Sequence, residues 1–203
     1  MILALLLAAA EPMSALDTER AFIADAQKLG QWTAFRKYAA DDAVIFVPQQ
    51  VNAQEFLKGR ADPPVAVYWW PGKSFVSCDG SYAVNTGPWV RQYGKAVGYF
   101  TTVWQRQPDG SWKWIYDGGD GLDTPRAEGG DIKAEIAACP KVAPPPTGLD
   151  EIPSGAKYVR GSSNDESLRW EWEVLPDGSR TFTVSIWNGS RHEVVIEDKV
   201  AAP

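Results

Sequence analysis

Three carboxylates stand where this chain could move a proton: Asp42, just before an apolar run, and Asp117 and Asp120, on either side of a Gly-Gly pair. A general base of this kind needs apolar surroundings that raise its proton affinity. The chain has the means to provide them, with 10 Trp, 7 Tyr and 7 Phe among 203 residues. Asp117 and Asp120 are the candidate catalytic residues, and Tyr99 or Tyr116 would donate to a developing oxyanion. The plainer reading makes Asp42 a cap and the other two turn residues at a strand end. Over residues 112–117, Trp112, Trp114 and Tyr116 share one strand face and Asp117 the other. On that alternation Tyr116 matters for ligand retention and Asp117 tolerates substitution.

Other motifs carry less. Gly118-Gly119-Asp120-Gly121-Leu122-Asp123 matches half of a calcium-binding repeat, but a single copy has no neighbour to stack on, and Pro125 stands where that repeat wants a large apolar side chain. His192 stands alone beside Glu193 on an expected exposed strand, outside the part of the chain that carries the candidate site, so a triad finds no support. With one His and two Cys a tetrahedral zinc site is nearly excluded, and neither a metal nor a cofactor is expected. Cys78 and Cys139 are either one disulfide, closing a loop of about 60 residues, or two separate buried thiols. A net charge of -6 with scattered Lys and Arg argues against a nucleic-acid partner.

Residues 2–10 are an unbroken apolar run ending in Ala8-x-Ala10, the small-x-small pattern of a cleaved leader. The run is shorter than the roughly 20 residues a membrane span needs, so no stable membrane anchor is expected. Residues 1–15 read as a signal peptide cut after Ala10, and the protein as exported, periplasmic or secreted. Ser14 and Asp17 open a helix, and Gly30 separates it from a second with a differently oriented stripe, Trp32, Phe35 and Tyr38. Residues 43–47 read as a strand and 53–58 as a short helix. From residue 65 the pattern is β: runs at 65–70, 73–78, 82–90, 98–107 and 112–117 are divided by turn signals and read as an antiparallel meander. A helix is expected at 131–138, then a Pro-rich linker, then three strands at 167–175, 180–187 and 193–200.

Two helices split by a glycine, then Tyr38-Ala39-Ala40-Asp41-Asp42-Ala43-Val44-Ile45-Phe46-Val47-Pro48, then a hairpin closing on Pro108-Asp109-Gly110-Ser111-Trp112-Lys113-Trp114-Ile115: this order resembles the NTF2-like superfamily, in its SnoaL-like and DUF4440-like branch. The resemblance covers about residues 17–120. It implies an α+β cone, a curved antiparallel sheet wrapped around N-terminal helices with a pocket between them. It also implies that the Trp-bearing face looks inward, making Trp32, Trp69, Trp89, Tyr99, Trp114 and Tyr116 the candidate ligand-binding residues. The branch includes isomerases, cyclases and dehydratases, and often carries His or another polar residue one position after Asp117. Gly118 stands there instead. The expected organisation is a leader at 1–15, a pocket domain at 16–123, a helical and Pro-rich linker at 124–150, and a β-meander at 151–203 packed on the first domain. Three readings follow: a domain that binds a small, largely apolar ligand, a general acid–base enzyme, or a partner protein that dimerises through the outer sheet face.

Overall fold

The computed structural model describes residues 13–124, 126, 131–142 and 152–203. The expected leader lies outside these residues up to position 12. Met13–Ala15 belong to the folded part, since Met13 O accepts a bond from Trp112 Nε1 at 3.0 Å and Ala15 is buried.

Helix α1 (Ala15–Leu29) starts where Ser14 Oγ accepts from Asp17 N, and it buries Phe22, Ile23 and Ala26 along one stripe. Gly30, at φ 110, turns the chain into α2 (Gln31–Tyr38). A Cβ at Gly30 would collide with the carboxyl of Asp62, which also caps Thr33 N at 2.9 Å. There follow β1 (Ala39–Phe46), β2 (Gln50–Asn52), α3 (Ala53–Leu57), β3 (Tyr68–Trp69), β4 (Lys73–Val76), β5 (Tyr82–Arg91), β6 (Ala96–Arg106), β7 (Trp112–Leu122) and β8 (Glu135–Ile136). These strands form one sheet in the order β2-β1-β7-β6-β5-β4-β8, with β3 on β5. It is the α+β cone expected from the NTF2-like resemblance: the helices lie in its concave face, and their apolar stripes meet Ala83, Phe100, Trp104 and Trp114 in one core. Two pairs depart from the antiparallel expectation, β1 with β7 and β4 with β8, which run parallel.

A second antiparallel sheet, β12-β11-β10-β9, is built from β9 (Lys157–Ser162), β10 (Leu168–Val174), β11 (Arg180–Trp187) and β12 (His192–Val200). It covers the outer face of the cone sheet. Phe46, Phe75, Val84, Val103 and Tyr116 share a second core there with Leu168, Trp172, Phe182, Val184 and Ile196. The three-stranded expectation is short by β9, whose exposed and half-buried pattern carries little apolar signal. The helix expected over 131–138 is absent. Cys139 forms a disulfide with Cys78, just beyond β4, and this tether holds the preceding residues extended, so Phe75 pairs with Glu135 and Val76 with Ile136. Short apolar runs are ambiguous between helix and strand, and here a long-range link decides.

Candidate functional site

Rows of side chains across β5, β6 and β7 build the site. The register sets Asn85 opposite Thr102 and Thr102 opposite Asp117, so these three form one row on the concave face. Deeper in the cone the next row holds Trp104 and Trp114. Toward the mouth the rows become Phe100 with Gly119 and Gly98 with Gly121. Gly119 and Gly121 border a cavity of about 300 Å³, walled by Trp32, Phe35, Trp69, Trp89 and Phe100, while the Trp89 ring packs over Gly98. The glycine-rich motif thus makes room inside the cone.

Asp117 reaches this face because of a β-bulge. Val103 pairs with Tyr116 but Trp104 with Trp114, so Ile115 is an extra residue on β7. Beyond it the alternation is reversed: Tyr116, expected beside Trp112 and Trp114, faces outward, and Asp117 faces in. Tyr116 stacks on Phe182 with centroids 4.2 Å apart and packs against Trp172 of the second sheet. The expectation that Tyr116 points into the cavity is therefore corrected. The turn reading of Asp117 and Asp120 also gives way, because β7 runs through both to Leu122.

Asp117 lines the cavity, and its Oδ2 accepts a bond from Thr102 Oγ1 at 3.0 Å. Burial in this apolar enclosure pushes its pKa up to about 7; the Thr102 bond opposes the rise and the charge of Glu19 adds to it. Asp120 also borders the cavity, exposed at the rim, where its Oδ1 accepts from Gly121 N at 2.8 Å. Asp42 is exposed on β1 and is not among the lining residues. Of the expected ligand-binding residues, Trp32, Trp69, Trp89 and Tyr99 border the cavity. Trp114 lies beneath it in the core, 6.0 Å from Phe35 by ring centroids. Tyr99 shares strand parity with Thr101 and Val103, which face the second sheet, and its ring lies 3.9 Å under the guanidinium of Arg126. Burial raises its pKa, and its hydroxyl has no partner among the described residues.

Sequence reasoning missed Thr102, Arg91 and Glu19. Arg91 is the one cation among the lining residues, with its guanidinium 4.9 Å from the Trp89 ring. Glu19 was visible as a charged residue on the apolar stripe of α1, three before Phe22. It is 0% exposed, and accepts from Trp69 Nε1 at 2.7 Å, Trp104 Nε1 at 2.8 Å and Asn85 Nδ2 at 3.3 Å. Among the described residues no group of three or more His, Cys, Asp or Glu is placed to hold a metal ion. Nor, among them, is any helix long and apolar enough to cross a membrane.

No protein-family model matches the chain, and no curated protein matches it. Solved structures similar to it come from NTF2-like proteins. A candidate ketosteroid isomerase from Parabacteroides distasonis is 18% identical, with a TM-score of 0.44 over 54% of this chain and 89% of that one. An NTF2-like superfamily protein from Salmonella enterica is 14% identical, with a TM-score of 0.40 over 56% and 93%. A CaMKII hub from S. rosetta is 16% identical, with a TM-score of 0.39 over 55% and 100%.

Proposed function

We propose that the cone cavity binds a small, largely apolar molecule and that Asp117 exchanges a proton with it, as the general base of an isomerase-type reaction at a carbon next to a carbonyl. The observation that carries this reading is the placement of Asp117: a carboxyl fixed by Thr102, inside an aromatic cavity, with a pKa of about 7. A base is most useful when it titrates near the working pH, because it is then ionised and still binds a proton strongly. In the proposed step Asp117 takes a proton from carbon, the electron pair moves to the carbonyl oxygen, and the proton returns to another carbon. Arg91 is the cation at the rim toward which an oxygen-bearing end of the ligand would turn.

Binding without turnover is the second reading, and a specific observation favours it. Tyr116 lies on the outer face of the sheet, and Tyr99 shares parity with outward residues, so neither phenol is set opposite Asp117 as an oxyanion donor. Proton–deuterium exchange at the α-carbon of a cyclic ketone, followed by NMR in D2O, separates the two. The enzyme reading expects exchange that rises through about pH 7 and is lost in Asp117→Asn. Exchange at the buffer rate while the ketone is bound leaves the binding reading.

We also propose that the protein is exported. Its disulfide suits an oxidising compartment, in keeping with the apolar run at 2–10. The mass of the mature chain tests this: a start at Glu11 is expected, and a cytoplasmic protein still starting at Met1 would overturn it.

A further inference from the structure

We propose that Glu19 and Asp117 act as a coupled carboxyl pair, with Glu19, held in its Trp69–Trp104–Asn85 cradle, as the positioning residue that governs when Asp117 holds a proton. The inference rests on the reading of Asp117 as the proton-exchanging group. Glu19 and Asp117 attach to the two ends of one row of the sheet: Asn85 Nδ2 donates to Glu19 Oε2 at 3.3 Å, Asn85 stands opposite Thr102 in the strand register, and Thr102 Oγ1 donates to Asp117. Adjacent strands lie about 4.8 Å apart, so this one row spans the distance between the two carboxyls through polar side chains.

The cradle accepts either protonation state of Glu19. When ionised, the carboxylate takes the two indole N–H groups and the Asn85 amide. When protonated, it has a hydroxyl to donate. Asn85 Oδ1 is buried and has no partner among the described residues, and turning the amide over would present it to that hydroxyl while giving up the bond from Nδ2 to Ala15 O at 3.2 Å. Burial pushes the pKa of Glu19 up to about 7, against the three bonds that favour its charge. Two carboxyls that titrate over the same range and repel one another lose their protons as a pair.

Other groups around the row are accounted for. Helix α2 faces the cavity with Gln31, Trp32 and Phe35, β1 and the residue after it with Ile45 and Val47, and β3 with Trp69, none of them charged. Arg91 of β5 and Asp120 of β7 are exposed at the rim. Glu19 is the charged side chain that bears on Asp117 from inside the cone.

Carboxyl 13C NMR titration of the full chain, labelled at Asp and Glu, tests the pair without any ligand. Glu19→Gln is expected to move the Asp117 midpoint to lower pH by roughly half a unit or more, because a neighbouring negative charge is removed. Coupling is reciprocal, so Asp117→Asn must move the Glu19 midpoint down by the same amount. This second variant keeps the test available if Glu19→Gln does not fold. An Asp117 that titrates near 7 and a Glu19 midpoint that ignores Asp117→Asn would overturn the pair and leave the proton-exchange reading standing. An Asp117 that titrates near 4 yet still moves with Glu19 would support the pair and overturn that reading.

Discussion

Folding encloses Glu19 fully and Asp117 in large part, and this couples stability to pH. Both have folded pKa values of about 7, against ordinary values near 4. Between those limits the folded state binds more protons than the unfolded one, so stability falls as pH rises. The contribution is fully present below about pH 4 and is lost by the time pH passes 7, with a slope on the order of 1 kcal/mol per pH unit for each group at mid-range. Other carboxyls pull the opposite way. The bond from Ser14 lowers the pKa of Asp17, those from Thr33 lower that of Asp62, and both groups lose their stabilising contacts in acid. Urea unfolding at steps between about pH 4.5 and 7.5 should show stability declining with pH, and Asp117→Asn should flatten that decline. A wild-type profile that is flat or rising over this range would show that Asp117 is not enclosed as described.

At the level of strands, one residue reverses the reading of the site. The helices, the Gly30 break and the hairpin turns at Pro108-Asp109-Gly110 and Pro176-Asp177-Gly178 are legible in sequence, because each rests on local chemistry: a cap, a positive φ, an Asp side chain bonded to the backbone two residues on. The bulge at Ile115 is set by pairing between β6 and β7 and leaves no local mark. Simple alternation therefore puts Tyr116 in the cavity and Asp117 outside it, the reverse of the fold. β8 and β9 escape for a related reason, since partners distant in sequence decide their conformation. The glycines of β7 give the corresponding prediction. A Cβ at Gly121 would meet only Val97 O, at 3.9 Å, and the position lines the cavity without requiring a positive φ. Gly121→Leu should hold or raise the melting temperature, because glycine weakens a strand interior. It should also weaken binding of an apolar dye about tenfold by filling the space, a loss worth roughly 1.4 kcal/mol. Unchanged dye affinity at unchanged stability would place the ligand elsewhere.

Seen whole, the molecule is a cone whose outer face is covered by its own second sheet. Tyr116, Phe46 and Val103 are buried against that sheet, so this face is not free for a second copy. Arg126 ties the sheets together, donating to Thr86 Oγ1 at 3.0 Å and Asp198 Oδ1 at 2.8 Å, while Arg180 donates to Gly119 O at 3.0 Å. The Arg180 bond links the second sheet directly to the cavity wall. The disulfide spans 61 residues, and the entropic model assigns such a loop about 4 kcal/mol. Cys78→Ser with Cys139→Ser should lower the urea midpoint correspondingly, and reductant should do the same to the wild type but not to the double variant. A reductant-insensitive wild type would mean that the thiols are not joined. Binding of an uncharged, polarity-sensitive naphthalene dye, measured across about pH 5 to 9, examines the Asp117 carboxyl in the aromatic cavity most directly. Pressing an apolar ligand against a charge costs desolvation, so wild-type affinity should fall as pH rises through about 7. Tyr116→Phe should follow the wild type, while Asp117→Asn should bind the dye equally well at every pH. A pH profile shared by wild type and Asp117→Asn, or one abolished by Tyr116→Phe, would contradict the account.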